Sequence, residues 1–139
     1  KILKKKMSEK FEIDIANEEC LTVSEVYLLL KQQFDYEAKR SNVIKDPHDI
    51  FTKTKDYCEN FDKFNGSKET VTQLRRTINE LQMNETKKIN EFEIAQLANL
   101  MPERIEEALA YIPSLKEKSE ELLHNIIEEL QGYRSSDFD

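Results

Sequence analysis

Glycine, proline, cysteine and histidine are scarce in this sequence of 139 residues, and tryptophan is absent. Two glycines and three prolines exclude a collagen, a low-complexity linker and a glycine-rich all-β fold. Because glycine occurs only at positions 66 and 132, the sequence holds no phosphate-cradling loop and no dinucleotide-binding fingerprint. Two cysteines, Cys20 and Cys58, are too few for a disulfide framework and indicate a reducing compartment.

Long apolar runs are also missing. The longest one covers only residues 26–30, whereas a helix that spans a bilayer needs about 20 apolar residues. The basic segment 1–6 is not followed by an apolar stretch, so we expect no membrane association and no secretory signal in this sequence. The length suits one ordinary domain, or a smaller domain with an arm.

No pattern of reactive side chains predicts catalysis. The two histidines, His48 and His124, have no cysteine or histidine partner at a metal-ligand spacing, so no metal site is expected. Adjacent glutamates such as Glu106 and Glu107 point about 100° apart on a helix and do not converge on one substrate. We therefore expect a non-enzyme without catalytic residues, cofactor or small-molecule ligand.

The charge of the chain, −7 overall, is concentrated in its last third. Residues 1–90 carry 17 basic and 16 acidic side chains, whereas residues 91–139 carry 4 basic and 12 acidic ones. The basic pairs at 75–76 and 87–88 are isolated, and no aromatic residues alternate with them as a stacking platform would require. We therefore expect no nucleic-acid binding by the chain alone.

The N-terminal part predicts a short strand and then a helix. Apolar and acidic residues alternate over 11–15, which is the period of a half-buried strand. A lone strand leaves backbone groups unpaired, so these residues either join an external sheet or form an extended tail. Thr22 and Glu25 form a capping-box pattern that predicts a helix over about 23–40. Its apolar stripe comprises Val23, Val26, Tyr27, Leu30 and Phe34.

Further helices are predicted along the rest of the chain. Asp46 and Pro47 predict the start of the second, Ser67 that of the third, and the polar stretch 82–88 an exposed loop. The predicted apolar face of the second helix holds Ile50, Phe51, Thr54, Tyr57, Cys58 and Phe61, and that of the third holds Val71, Leu74, Ile78 and Leu81.

The last third predicts three more helical segments. Asn90 and Glu93 cap one of them, Pro102 begins a short one, the pair 113–114 is a break, and Gly132 ends the last. Their apolar positions are Phe92, Ala95, Leu97, Ala98 and Leu100, then Ile105, Ala108, Leu109 and Ile112, then Leu122, Leu123, Ile126, Ile127 and Leu130. The sequence therefore predicts an all-α fold with an arm over 1–46, a bundle of about five short helices over 47–132 and a tail over 133–139.

The second half carries a series of motifs that resembles a known family. It comprises FDKF at 61–64, FEIAQLANLMPE at 92–103 and IPSL at 112–115. The series is similar to that of the fourth-largest subunit of eukaryotic RNA polymerase II, which has a homologue in the archaeal polymerase. The similarity extends over about residues 11–131. In this comparison Phe92, Leu97, Leu100, Pro102 and Pro113 are structural motif residues, and we expect Phe92, Leu97 and Leu100 to be buried.

The resemblance implies a nuclear, non-catalytic subunit of DNA-dependent RNA polymerase II. Its helical domain would be of the type shared with helicase and RNase D C-terminal modules. It would form a heterodimer with the seventh subunit, and that pair would be the stalk of the polymerase core, acting in initiation and in co-transcriptional events. The partner, which is rich in β structure, would carry the RNA-binding fold.

A specific interface follows from combining this resemblance with the unpaired strand. We expect residues 11–15 to add to a sheet of the seventh subunit while the first helix packs alongside. The predicted partner-binding residues are Phe11, Ile13, Ile15, Val26, Tyr27 and Leu30. Two alternatives stay open: the equivalent stalk subunit of archaeal polymerase or polymerase III, and a free-standing helical module that binds nucleic acid.

Overall fold

Helices make up all the regular secondary structure that the computed structural model describes, which covers residues 19–40 and 49–135. Within these ranges the chain forms α1 (Val23–Arg40), α2 (Ile50–Phe61), α3 (Lys68–Leu81), α4 (Glu91–Leu100), α5 (Ile105–Tyr111), a 3₁₀ helix (Pro113–Glu117) and α6 (Glu120–Ser135). The predicted all-α fold is thus confirmed. The predicted strand over 11–15 lies outside the described residues, and the division into arm and bundle stays a prediction.

One continuous apolar core lies between the helices from α3 to α6. α3 packs against α6, and α5 packs against both the 3₁₀ helix and α6. The buried side chains of this core are Phe64, Val71, Leu74, Ile78, Ile89, Ile94, Leu97, Ala98, Met101, Ala108, Ile112, Leu115, Leu122, Leu123, Ile126, Ile127 and Leu130. The predicted apolar stripes of α3 and α6 are therefore core residues, apart from Leu81, which is only partly buried against it.

α1 and α2 form a pair outside this core. α1 packs mainly against α2 and also against α3, and neither α1 nor α2 contributes a side chain to the continuous core. The predicted capping box begins α1: the Thr22 amide donates to Glu25 Oε2 at 2.7 Å, and the Glu25 amide donates to Thr22 Oγ1 at 3.1 Å.

The beginning of α2 differs from the prediction. The helix begins at Ile50 after Asp49, whose backbone is extended, and not at Pro47. Asp46 and Pro47 lie outside the described residues. Asp49 occupies the N-cap position without a side-chain hydrogen bond to the helix, so no capping pattern in the sequence marks this start.

The buried face of α2 was also predicted wrongly in part. Cys58 is buried, as expected, and burial raises the pKa of its thiol, so it behaves as a small core residue. Ile50, Tyr57 and Phe61, in contrast, are more than half exposed. The reason is that the side of α2 toward α1 holds Lys55 beside Cys58. The Lys55 ammonium lies over the Phe34 ring of α1, whereas the edge of the predicted stripe that holds Ile50, Tyr57 and Phe61 is open to solvent.

A tight turn connects α2 to α3 and depends on Asp62. Its carboxylate accepts hydrogen bonds from the amides of Phe64 and Gly66, and both Asn65 and Gly66 have positive φ angles. A Cβ atom on Gly66 would lie 3.4 Å from the Tyr27 ring, so the turn is also close to α1. Ser67 then caps α3 as predicted, its Oγ accepting from the Thr70 amide at 3.2 Å.

The loop over 82–88 is only partly the exposed segment that was predicted. Gln82 is buried, and both ends of its side-chain amide are bonded. Its Oε1 accepts from the Ile89 amide nitrogen at 2.7 Å, and its Nε2 donates to Asn79. Ile89 enters the core directly after this contact. The polar composition of the segment predicts exposure. It does not reveal that one glutamine is buried and hydrogen-bonded, because burial of a polar side chain depends on partners that the local sequence does not show.

The motif helix α4 confirms one predicted core residue and contradicts another. Leu97 is fully buried and Phe92 is partly buried, whereas Leu100 is 43% exposed. The contradiction has a local cause: Leu100 is the last residue of α4, and Met101 adopts a left-handed conformation (φ 48°) that ends the helix. Ile94, which the prediction omitted, is buried instead.

Three boundaries near the C-terminal end also require correction. Pro102 does not begin α5, which starts at Ile105; it is buried, and its carbonyl accepts from Gln131 Nε2 at 3.1 Å. Pro113 opens a 3₁₀ helix where a simple break was predicted. Gly132 does not end α6, which continues to Ser135 because Tyr133 packs on the core and meets the Phe64 ring edge-on at 6.3 Å.

The two leucines of α4 supply a matched test of the core. Leu97→Ala should lower the free energy of unfolding by about 2–5 kcal/mol, the range for large-to-small changes in a packed core. Leu100→Ala, the control at a half-exposed position of the same helix, should cost about 1 kcal/mol or less. Urea denaturation followed by circular dichroism measures both, and equal losses would contradict this assignment of the core.

Candidate functional site

One face of α1 is occupied by the chain itself. Tyr27 is 8% exposed, and its hydroxyl donates to Glu59 Oε1 on α2 at 3.0 Å. The Lys55 ammonium of α2 lies 5.5 Å from the centre of the Phe34 ring. Val26 and Leu30, which share this face by helical spacing, are partly buried. This is the face that the sequence analysis assigned to a partner.

The opposite face of α1 is open and apolar. Leu29 on this face is more than half exposed. So are Leu21, which lies just before the helix, and Tyr36, which lies about two turns after Leu29. A groove of about 230 Å³ runs between this face and α3. Its lining residues are Leu21, Glu25, Leu28, Leu29 and Gln32 on one side and Lys68, Val71 and Thr72 on the other. The chain therefore presents a leucine groove, defined by these eight residues, that is mostly apolar with polar groups at its rim.

The predicted partner residues fall into two groups. Phe11, Ile13 and Ile15 lie outside the described residues, and the structure places Val26, Tyr27 and Leu30 on the face toward α2; their role in partner binding stays a prediction. The leucine groove was missed. The signal was present, since Leu21, Leu28 and Leu29 recur at helical spacing opposite the first stripe, and a helix that is apolar on two faces has two surfaces to cover.

A cluster around Arg75 holds the first turn of α1 beside this groove. Arg75 lies on α3 and donates to Glu25 Oε1 at 2.7 Å, to Glu25 Oε2 at 2.8 Å and to the Cys20 carbonyl at 2.6 Å. Its remaining nitrogen donates to Glu91 Oε2 on α4 at 2.6 Å. The sequence predicts only an isolated basic pair here, yet this arginine binds three residues in two separate parts of the chain.

The electrostatics of the cluster favour its charged form. Burial alone would raise the pKa of the Glu25 carboxyl, but hydrogen bonds from Arg75 and Thr22 outweigh burial and hold this pKa below its ordinary value of 4.5. The hydrogen bonds with Glu25 likewise raise the pKa of Arg75. The ion pair is therefore a stabilising contact at neutral pH, with the geometry of a bidentate arginine–carboxylate pair.

A second polar contact fixes α1 from the other side. The Ser24 hydroxyl donates to Asp62, the same carboxylate that organises the turn before α3. The Val23 amide donates to Asn99 Oδ1 on α4 at 2.9 Å. Thr22 and Ser24 are nearly inaccessible to solvent as a result. The start of α1 is thus attached to α3, to α4 and to the turn that connects α2 to α3 by hydrogen bonds to named side chains.

A buried carboxylate joins the two strongest sequence motifs. Glu93 of α4 is 1% exposed; it accepts from the Ser114 hydroxyl at 2.5 Å and lies 3.3 Å from the Lys118 ammonium. It also receives the Asn90 amide, which completes the predicted capping box. The sequence predicts the capping role of Glu93, because its partner Asn90 is three positions away. It does not predict the burial of Glu93, because the partners that bury it, Ser114 and Lys118, lie more than 20 positions away.

Metal-site clusters and membrane-spanning helices are both absent from the described residues. Among them, no cluster of three or more histidine, cysteine, aspartate or glutamate side chains has the arrangement of a metal site. In the same part of the chain, every helix is too short or too polar to span a bilayer.

Comparison with known proteins gives a consistent result. The family model described as RNA polymerase Rpb4 matches residues 20–134. The chain is 32% identical to DNA-directed RNA polymerase II subunit rpb4 of Dictyostelium discoideum, over 90% of this chain and 85% of that protein. It is 33% identical to DNA-directed RNA polymerase II subunit 4 of Arabidopsis thaliana (71% and 67%) and 32% identical to the rpb4 subunit of Schizosaccharomyces pombe (93% and 87%).

The Glu25–Arg75 pair predicts a pH dependence of stability. Because the pKa of Glu25 is lowered on folding, its contribution is complete above the ordinary pKa of 4.5 and is lost as the pH falls through the lowered value. The difference in unfolding free energy between the wild type and Glu25→Gln should therefore shrink in acid. Urea titrations at a series of pH values measure it, and Glu80→Gln, which removes an exposed i,i+4 partner of Arg76, is the control. A difference that does not change with pH would contradict the pairing.

Proposed function

This chain belongs to the RNA polymerase Rpb4 family, so it is a non-catalytic RNA polymerase subunit, and we propose that it pairs with the seventh subunit of RNA polymerase II to form the stalk of that enzyme. In this role it acts in the nucleus, in initiation and in co-transcriptional events. Its contribution is to bind and position other proteins. The relatives compared above are named as subunits of polymerase II, which favours this branch over the archaeal and polymerase III equivalents.

The leucine groove is the observation that carries this proposal. The fold completes its apolar core from α3 onward, yet it leaves Leu21, Leu28 and Leu29 in a groove open to solvent. Contiguous exposed apolar surface with a polar rim is typical of protein–protein interfaces. Glu25 and Lys68 supply such a rim here.

The chain that precedes the groove completes the proposed interface. In this proposal Phe11, Ile13 and Ile15 add as a strand to a sheet edge of the seventh subunit, where backbone hydrogen bonds supply affinity and the three side chains set the register. Leu21 then continues the contact into the groove. Val26, Tyr27 and Leu30 are also assigned to the interface in this proposal. They lie on the face of α1 toward α2, so they would support the interface from behind by holding α1 against α2.

A free-standing nucleic-acid-binding module is the alternative from another class, and the surface charge opposes it. Exposed glutamates are abundant from α4 onward, among them Glu103 between α4 and α5, and Glu106, Glu120 and Glu128. Of the basic pairs, Arg75 is engaged within the fold and Arg76 pairs with Glu80. A phosphate backbone would meet repulsion on this side of the molecule.

Single substitutions in the two parts of the interface should weaken the heterodimer. Leu29→Glu and Ile13→Asp each place a charge against an apolar partner surface, and each should cost about 2 kcal/mol or more of binding free energy. Leu100→Glu, at a half-exposed leucine outside the groove, is the matched control. Co-expression with the seventh subunit, size-exclusion chromatography and isothermal titration calorimetry test this. Wild-type affinity in both variants would overturn the interface.

The charge distribution supplies a separate test against the alternative. The chain alone should bind RNA and DNA no more tightly than about 10⁻⁴ M at physiological salt, the weak end of non-specific binding. Fluorescence anisotropy with labelled single-stranded RNA and duplex DNA measures this. Tighter binding that persists as salt is raised would favour the free-standing nucleic-acid module.

A further inference from the structure

The first turn of α1 is positioned by polar contacts and not by the apolar core. Thr22 and Glu25 satisfy each other's amides, the Val23 amide is bound by Asn99, and the Cys20 carbonyl is bound by Arg75. Without such partners the amides at a helix start would remain unsatisfied. The direction of this turn is therefore set by the side chains that reach it from α3, from α4 and from the turn before α3, where Asp62 binds the Ser24 hydroxyl.

Arg75 is the side chain that reaches it with the most bonds. Its side chain is 19% exposed, and three of its hydrogen bonds end on Glu25 and Cys20. A guanidinium has five donors in a fixed plane, so it holds a carboxylate and a carbonyl in one geometry. A lysine ammonium at the same place would keep the charge but could not reproduce this planar arrangement.

The groove and the arginine cluster share residues. Glu25 lines the groove and accepts from Arg75, and Leu21, which lines the groove at its start, directly follows the carbonyl that Arg75 binds. Val71, on the α3 side of the groove, precedes Arg75 by one helical turn. A shift of the Arg75 contacts would therefore move one wall of the groove relative to the other.

We propose that Arg75 is a positioning residue of the partner interface: from α3 it fixes the Cys20–Glu25 turn, and with it both the width of the leucine groove and the point from which the preceding chain leaves the bundle. This inference rests on the proposed function, since it concerns the surface that would bind the seventh subunit. Arg75 acts through Cys20 and Glu25 and does not itself contact the partner.

Neighbouring residues give the experiment its controls. Arg76 follows Arg75 on the same helix, is 72% exposed and pairs only with Glu80 within the described contacts, so Arg76→Gln removes an equal charge without touching the groove. Arg75→Gln removes the contacts entirely. Arg75→Lys keeps the charge and serves as the second variant if the glutamine variant does not fold.

The decisive measurement is affinity for the purified seventh subunit at a temperature well below the melting transition of each full-length variant. A substitution that only lowers stability leaves almost all molecules folded there and does not change the affinity. We expect Arg75→Gln and Arg75→Lys to weaken binding by about tenfold or more. This is the loss expected if only about one variant molecule in ten has the groove in its binding geometry, because the apparent affinity falls with that fraction. Arg76→Gln should bind like the wild type.

The possible outcomes separate this inference from the proposed function. If the wild type binds the seventh subunit and both Arg75 variants bind equally well, positioning by Arg75 is wrong while the proposed function stands. If Arg75→Lys restores full affinity, only the charge matters and the positioning geometry is again wrong. If the wild type does not bind the seventh subunit, the proposed function fails, and the inference about its interface fails with it.

Discussion

The guanidinium group of Arg75 joins parts of the chain that are otherwise connected weakly. It binds the start of α1 through Cys20 and Glu25, and it binds the start of α4 through Glu91. α1 has no side chain in the continuous apolar core, so its place on the molecule depends on its packing with α2 and α3, on these bonds, and on those of Val23 to Asn99 and Ser24 to Asp62. A partly buried ion pair depends strongly on geometry, because each charge that leaves water must find its partners in full. The position of α1 is accordingly restricted. Removal of Arg75 would leave the Glu25 carboxylate without its ionic partner, whereas removal of Glu25 would leave Arg75 paired with Glu91 alone.

α1 is held at its first turn by hydrogen bonds, and its two apolar faces differ: one packs against α2 and the other borders an open groove. The face with Tyr27 is covered by α2, and its hydroxyl is satisfied by Glu59. The face with Leu28 and Leu29 borders an open groove against α3. If apolar contact alone held the helix, both faces would be drawn into the core and no groove would remain. The hydrogen bonds at the first turn, including that of Ser24 to Asp62, fix the helix without consuming this surface.

The sequence predicted those features that depend on residues close together in the chain. The Thr22–Glu25 capping box forms as expected, because its hydrogen bonds span only three residues. The pairing of Arg75 with Glu25 spans 50 positions, and no local pattern distinguishes it from a solvated basic pair. The wrong face of α2 has another cause: its apolar side chains all lie in the predicted stripe, whereas the side that α1 covers includes Lys55, and only the position of α1 decides which side is covered. In the same way, the burial of Leu100 could not be judged without knowing that α4 ends at that residue.

The motifs that carry the family resemblance are explained by the interior of the bundle. Glu93, within FEIAQLANLMPE, accepts a hydrogen bond from Ser114, within IPSL, so the two motifs are halves of one buried contact. Leu97 and Leu115 belong to the core beside it. A family signature of this kind specifies the fold, since a buried carboxylate without its donors would be costly. In the interface proposed above, partner choice would be decided elsewhere, on the open face of α1 and the chain before it. Sequence change there would alter binding while leaving the signature intact, which is why membership of the family determines the architecture more firmly than it determines the interface.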